Sequence, residues 1–516
     1  MKKNFIIKLA VFAFANALLF IFTESLMPQD SFKEWKNKES DNRREFDSTY
    51  VQNFNNYISE QDLNFAEYLM QEWKSFDAFK GIVRDSIPKP IKSPVWHPAK
   101  SKSEDDESKE DHQINTIFDE RKPSPKLPSQ ELFNLPEYKI KSLDKIAELK
   151  TLPYCVDFYG NTLDYNVPAS FILNEGYSPS PEFFANAWLY FSSSPYDLIL
   201  TQSQLHANRL VLNDWGYILL LKKLSEEICP DSKVNSLVTQ WFLLIKSGYD
   251  ARLGYNENNL CILITTRQII YETVFFLVDE KRYFVVFIQY NDGSTSKFFI
   301  YDHEYASENK QADLRIIKEP NLFTYPESRT LRFKKLFEED TCKINFNKSL
   351  IEFYQEYPQT DLEIVFNGSL SNEAKHSIER ELKPLLDPND EIAAVNTLLK
   401  FVQTAFEYQT DLEQFGEENY LFAEETLFYE HSDCEDRSVL FADLVSKLIG
   451  LEVIGLEFPG HVAAAVCFSK EVKGYEIDYN NKKYLICDPT YINATAGQCM
   501  PEFRDKTAKI IDISRF

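Results

Sequence analysis

From Ser432 to Pro489 the sequence lays out one helix and three strands, and reactive side chains stand at the ends of these elements. Ser432-Asp433-Cys434-Glu435 reads as a capping box, with Ser432 as N-cap and Glu435 at the third helical position. Val439, Leu440, Leu444, Val445 and Leu448 give that helix an apolar face, and Gly450 suits the position just past its end. Leu451–Phe458 is a strand running into the Pro459-Gly460 turn. His461 opens a second strand, whose alanines at 463–465 suggest close packing on the helix. A third strand delivers Asp488, and Pro489 stops it. Successive strands joined by short turns, with a helix to cover them, predict an α+β fold: a cysteine-bearing helix on an antiparallel sheet.

The remaining sequence sets the context of this segment. A chain of 516 residues exceeds one core, and its apolar content (44%) and aromatic content (15%) suffice for several. The net charge of −24 argues against nucleic acid as a partner and against docking on an anionic membrane surface. The exception is 1–27, where Lys2 and Lys3 precede an apolar run, Leu9 to Phe22. It reads as a signal peptide or signal anchor. Because no small-residue cleavage site follows the run, an uncleaved anchor is favoured, with the rest of the chain exported to the periplasm or cell surface.

Residues 28–83 read as a helical segment in which Phe65, Leu69, Trp73 and Phe76 share one face. Residues 84–137, rich in Pro, Ser and charge, read as a linker. An α+β domain is expected over 138–342, a small connector over 343–388 and a final domain over 389–516. The first contains helices Trp215–Leu224 and Val234–Lys246, then strands Leu260–Thr265, Ile269–Val278 and Tyr283–Tyr290. Asn291-Asp292-Gly293 is a hairpin turn into Lys297–Tyr301. In the connector, Leu362–Phe366 reads as a strand and a helix starts near Asn372. A helix over 390–406, with Asn389 as N-cap, opens the last domain. Its buried face would carry Ile392, Val395, Leu399, Val402 and Phe406.

The stretch 232–287 echoes the layout of 434–488. Aligning Gly248 with Gly450 sets Ser232 opposite Cys434 and Asn259 opposite His461. With a one-residue shift Phe287 stands opposite Asp488. Either 138–342 holds a degenerate copy of the last domain, or a helix-then-hairpin layout has recurred by chance. Ser232 has no histidine partner in either case, so it is not a candidate nucleophile.

Cys434, His461 and Asp488 follow one another at intervals of 27 residues. A thiolate can attack a carbonyl, an imidazole can move the proton, and a carboxylate can orient the imidazole. In the first turn of a helix, the dipole is expected to lower the pKa of Cys434, and the N–H groups there can face an oxyanion. Each residue alone has a plainer reading: a core thiol, a structural histidine, a turn aspartate. Their order, spacing and placement together favour a single site. Asp436 and Arg437 read as helix-start electrostatics and a salt bridge. His431 is badly placed as a base, and Cys467 and Cys487 are expected on the opposite strand face from their triad neighbours.

The motifs DCEDRS, PGHVAAAV and CDPTY, within residues 390–498, resemble the transglutaminase-like superfamily of papain-related cysteine enzymes, as found in exported bacterial proteins. The resemblance covers about a fifth of the chain. It implies Cys434 as nucleophile, His461 as general base and acid, and Asp488 as orienting group. Many eukaryotic members support the oxyanion with a Trp. All six Trp here lie at or before Trp241, leaving Gln414 and Tyr420 as weak substitutes.

The expected activity is acyl transfer from an amide in a protein or peptide substrate, with hydrolysis favoured over amine cross-linking. The competing class is a surface binding or assembly protein that uses the fold as a scaffold. No cofactor is expected. H-E-x-x-H, P-loop and dinucleotide motifs are missing, the seven histidines are scattered, and the eight cysteines show no zinc spacing.

Overall fold

A computed structural model describes residues 60–83, 112–117, 150–173, 178–257, 259–289, 297–305, 309–335, 338–368 and 370–513. The apolar run Leu9 to Phe22, most of the linker and the Asn291-Asp292-Gly293 turn lie outside these residues. Among the described residues no helix is long and apolar enough to cross a membrane. The chain divides into two compact units between Glu67 and Tyr68. The described end of the first, 60–67, is helical.

In the second unit the chain first forms strand β1 (Trp73–Asp77). Trp73 and Phe76 therefore sit on a strand, whereas Phe65 and Leu69 lie in the helix 60–71. A single helical face over all four is thus not formed. The read linker also supplies two short strands, β2 (His112–Gln113) and β3 (Thr116–Ile117), held by Ile114, which is buried in the C-terminal core. A hairpin follows, β4 (Thr151–Phe158) and β5 (Asn161–Pro168).

Four helices come next: α1 (Pro181–Ser192), α2 (Asp197–Leu210), α3 (Asp214–Ile228) and α4 (Lys233–Lys246). They lead into β6 (Ala251–Tyr255), β7 (Leu260–Ile264), β8 (Phe275–Val278), β9 (Lys281–Gln289) and β10 (Lys297–Tyr301). The strand expected from Ile269 begins only at Phe275. A long hairpin, β11 (Pro326–Lys335) and β12 (Glu338–Asn347), connects to α5 (Lys348–Gln355), α6 (Leu362–Phe366) and α7 (Asn372–Leu382). Leu362–Phe366 is helical rather than extended. In so short an apolar run the hydrophobic pattern does not distinguish the two.

The C-terminal part contains α8 (Glu391–Ala405), β13 (Glu407–Tyr408), α9 (Asp411–Gln414), α10 (Ala423–Phe428), β14 (His431–Ser432) and α11 (Cys434–Leu448). Asp390, not Asn389, caps α8, its carboxylate accepting from the N–H groups of Ile392 and Ala393. Then come β15 (Glu452–Phe458), β16 (His461–Cys467), β17 (Tyr475–Tyr479), β18 (Lys482–Cys487) and β19 (Ala508–Ile511). The expected α+β class is met.

Two sheets carry the architecture, ordered β1-β10-β6-β7-β9-β8 and β2-β17-β18-β16-β15-β19-β3. They follow one topology. In each, a helix leads into an antiparallel hairpin (β6–β7, β15–β16), and the second hairpin strand pairs with a later strand (β9, β18). That later strand forms a hairpin with its predecessor, and a last strand returns beside the first. Even the turns agree: Asp279-Glu280 and Asn480-Asn481 both have positive φ at two successive residues, as a twisted two-residue hairpin loop requires. Gly248 and Gly450, with φ +96 and +84, end the two leading helices.

By this topology Lys233 and Leu260 hold the places of Cys434 and His461, each one residue from the aligned position. The β8–β9 turn sets Phe287 opposite Asp488, as aligned, whereas the β7–β9 pairing, shifted by its bulge, sets Val286 there. None of these residues repeats the triad's chemistry.

Helix α11 packs against β15 and β16, and Ser438 Oγ donates to Val462 O at 3.1 Å. The sheet's other face buries Leu456, Ala463, Ala465, Ile477, Ile486 and Met500. Side chains alternate across a strand. Of the three alanines, therefore, only Ala464 faces away from this core, and close packing of all three on the helix does not occur.

Candidate functional site

The thiol stands at the start of α11. Cys434 is its first helical residue, and the cap falls one position later than the sequence suggested: Asp433 is the N-cap and Asp436 the third residue, whose Oδ2 accepts from Asp433 N–H at 3.3 Å. Ser432 instead accepts through Oγ from Arg437 Nε at 3.1 Å. Both residues suit a cap, so composition could not fix the register. Asp436 Oδ1 also accepts from Leu421 N–H at 2.9 Å, which ties the preceding loop to the helix start.

His461 opens β16, directly after the Pro459-Gly460 turn, where Gly460 has φ +77. Its Nε2 lies 2.8 Å from Asp488 Oδ2. The other carboxylate oxygen, Oδ1, accepts from Thr490 N–H at 2.9 Å and Tyr491 N–H at 3.1 Å. Asp488 is thus fixed on both oxygens, and imidazole Nδ1 is buried without a hydrogen-bond partner. Phe503 stacks on the imidazole with ring centroids 4.7 Å apart.

A residue the sequence reading missed, Gln403 of α8, braces the loop behind Asp488. Its Nε2 donates to the carbonyls of Tyr491 and Ala494 at 3.0 Å and of Asp488 at 3.4 Å, and its Oε1 accepts from Asn493 N–H at 3.2 Å. A buried amide within the apolar face of a helix was the available signal.

The structure pairs His461 with Asp488, and the Val462 backbone, next to His461, weakly favours the Cys434 thiolate. The thiol itself donates to Glu435 Oε2 at 2.8 Å, and no hydrogen bond joins it to His461. Cys434 is fully buried. Burial, then the Glu435 and Asp433 carboxyls, push its pKa well above the ordinary value. The thiolate expected from the helix dipole is therefore not the resting state. Desolvation and two neighbouring acids outweigh the partial charge of a helix end.

Those acids belong to a buried cluster. Asp411, Asp433, Glu435 and Asp436 are each less than 6% exposed. Burial, followed by Asp436 and Asp433, raises Asp411 to about 10. Burial, followed by Asp411 and Asp436, raises Glu435 to about 8. Arg437 offers little relief. Its guanidinium bonds Ser432 Oγ and Phe406 O (2.9 Å) and lies 5.4 Å from the Tyr408 ring centroid. It makes no salt bridge of the kind the sequence suggested.

Oxygens of Asp411, Glu418 and Glu435 lie within 4.8 Å of one another, as do those of Asp411, Asp433 and Asp436. Such sets could hold a hard divalent cation. No metal ligands are expected from the sequence, because histidine and cysteine spacings do not reveal carboxylates gathered from three separate segments.

Other candidates fall away from this centre. His431 lies on β14 with Nε2 3.5 Å from Glu407 Oε2. Ser232 caps α4, accepting from Asn235 N–H at 3.2 Å. Cys467 is six residues past His461 and so lies on the same strand face, packed against the core, not on the opposite face as expected. Cys487, one residue before Asp488, points the other way by the same alternation. All eight cysteines are free. Gln414 ends α9, and Tyr420 is buried in the loop before α10.

Comparison with protein-family models, with curated proteins and with solved structures finds no match to this chain.

Proposed function

We propose that the chain is a cysteine acyl-transfer enzyme acting on amide bonds, with Cys434 as nucleophile, His461 as base and acid, and Asp488 as the orienting carboxylate. The observation that carries this reading is the buried His461–Asp488 pair, 2.8 Å apart, with Nδ1 left unbonded. An imidazole held through Nε2 has one nitrogen left for a proton, and Asp488 stabilises the cation that forms.

In the proposed cycle the thiol turns from Glu435 to Nδ1 and gives up its proton. Sulfur attacks the amide carbon, a C–S bond forms, and the carbonyl becomes an oxyanion. Collapse breaks the C–N bond, and the imidazolium returns its proton to the leaving amine. Water, deprotonated by His461, then attacks the thioester carbon; the C–S bond breaks, the acid leaves, and the imidazolium returns its proton to the sulfur. Water is the favoured acceptor, which makes the enzyme a peptidase or deamidase; an amine in its place would make it a cross-linking transglutaminase. This reading resembles the transglutaminase-like superfamily in its three motifs, and extends to an exported, membrane-tethered body acting on proteins or peptides.

The test incubates peptide pools with the protein, with and without an added amine, and compares products by mass spectrometry with those from Cys434→Ala. Products that disappear in the variant support the proposal. Identical product sets sink it in favour of a scaffold or binding role, which the triad-less first sheet makes a real alternative.

A further inference from the structure

We propose that Tyr408 is a catalytic residue, the side-chain donor to the oxyanion formed at Cys434; the proposal rests on the acyl-transfer reading above. The parallel pairing of β13 with β14 sets Tyr408 opposite Ser432, two residues before the nucleophile. On the other side, the Tyr408 ring meets the guanidinium of Arg437, one helical turn beyond Cys434. The phenol is thereby held between the strand that enters α11 and the first turn of that helix.

Its hydroxyl is buried and has no hydrogen-bond partner. An orphaned buried donor is costly, so its retention has an explanation if an acceptor appears there during the reaction. Burial, then Cys434, Asp433 and Glu435 in that order, push the phenol pKa up, so Tyr408 keeps its proton and remains a donor. Backbone N–H groups at a helix start, where Cys434 stands, are the other donors such a site uses.

The experiment compares two reagents on one thiol of the full chain. p-Nitrophenyl acetate acylates sulfur through a tetrahedral oxyanion and releases p-nitrophenolate. Iodoacetamide alkylates the same sulfur by displacing iodide at a saturated carbon, with no oxyanion. Both adducts are assigned to Cys434 by mass spectrometry, with Cys434→Ala as control. Tyr408→Phe is expected to slow acylation about 100-fold while alkylation stays within about twofold of wild type. Equal losses in both reactions would mark Tyr408 as merely structural and overturn the proposal. Unchanged acylation would overturn it while leaving Cys434 as acyl acceptor. A wild-type Cys434 that the ester never acylates would remove the acyl-transfer reading and this inference with it.

Discussion

Replacing Glu435 by Gln removes a buried carboxyl but keeps its shape, and the structure fixes how stability should respond to pH. Folded Glu435 titrates near 8, against an ordinary value of 4.5, because burial and then Asp411 and Asp436 disfavour its charge. The folded state thus holds a proton that the unfolded chain gives up above pH 4.5. Stability from that proton is complete below pH 4.5 and drains away as pH rises through 8. The ceiling is ~1.4 kcal/mol per pH unit over that window, so Glu435→Gln should exceed wild type by ~1 kcal/mol at pH 5.5 and by up to ~4 kcal/mol at pH 7.5.

All six Trp lie at or before Trp241, so their fluorescence does not report the C-terminal sheet. Cys487, fully buried on β18, does. Pulse labelling of Cys487 against urea, with chelator present to keep cations off the carboxylates, reads the opening of that sheet directly. A gap between the two proteins that stays flat from pH 5.5 to 7.5, or that narrows, would refute the buried-proton account. The same substitution removes one of the thiol's acidic neighbours while keeping an oxygen to accept from it, so alkylation of Cys434 should quicken as well.

In native wild-type protein at pH 7, iodoacetamide should modify Cys434 at least ~10-fold more slowly than exposed Cys155, and the gap should vanish in denaturant. Equal native rates by differential mass labelling would contradict the raised thiol pKa. Gln403→Leu leaves the carbonyls of Tyr491 and Ala494 and the N–H of Asn493 without their partner, so the Cys487 labelling transition should weaken by ~2–3 kcal/mol; a shift below ~0.5 kcal/mol would show that the loop is held otherwise. Gly474→Ala would place a Cβ 2.5 Å from Gly497 Cα, so the 475–479 strand must move. That variant should open at lower urea by the same assay, and an unchanged transition would show that the loop yields.

Much of the site was legible because local patterns set it. The apolar face of α11, the stop at Gly450, the Pro459-Gly460 turn and the strand into Asp488 each follow from neighbours in sequence. The cap slipped by one residue because Ser432 and Asp433 are both competent caps, and only the Asp436 contact decides between them. The charge state of Cys434 was not legible at all. It depends on Asp411, 23 positions upstream and folded against Glu435, and on a depth of burial that no local pattern records. Strands β2 and β3 were hidden for another reason: two residues cannot show an alternation, and their partners lie more than 350 positions away.

These two strands bear on how the chain can be cut. β2 lies along β17 and β3 along β19, one at each edge of the C-terminal sheet. A fragment beginning at residue 389 keeps the whole triad yet loses both borders, leaving two rows of backbone donors and acceptors open to any passing strand. The part that carries the proposed site is therefore not a portable module. Its sheet is finished by six residues that precede the first sheet's helices in the chain, so the two halves should resist separation by recombination. A short peptide spanning 112–117 is the natural reagent for making the shortened piece soluble.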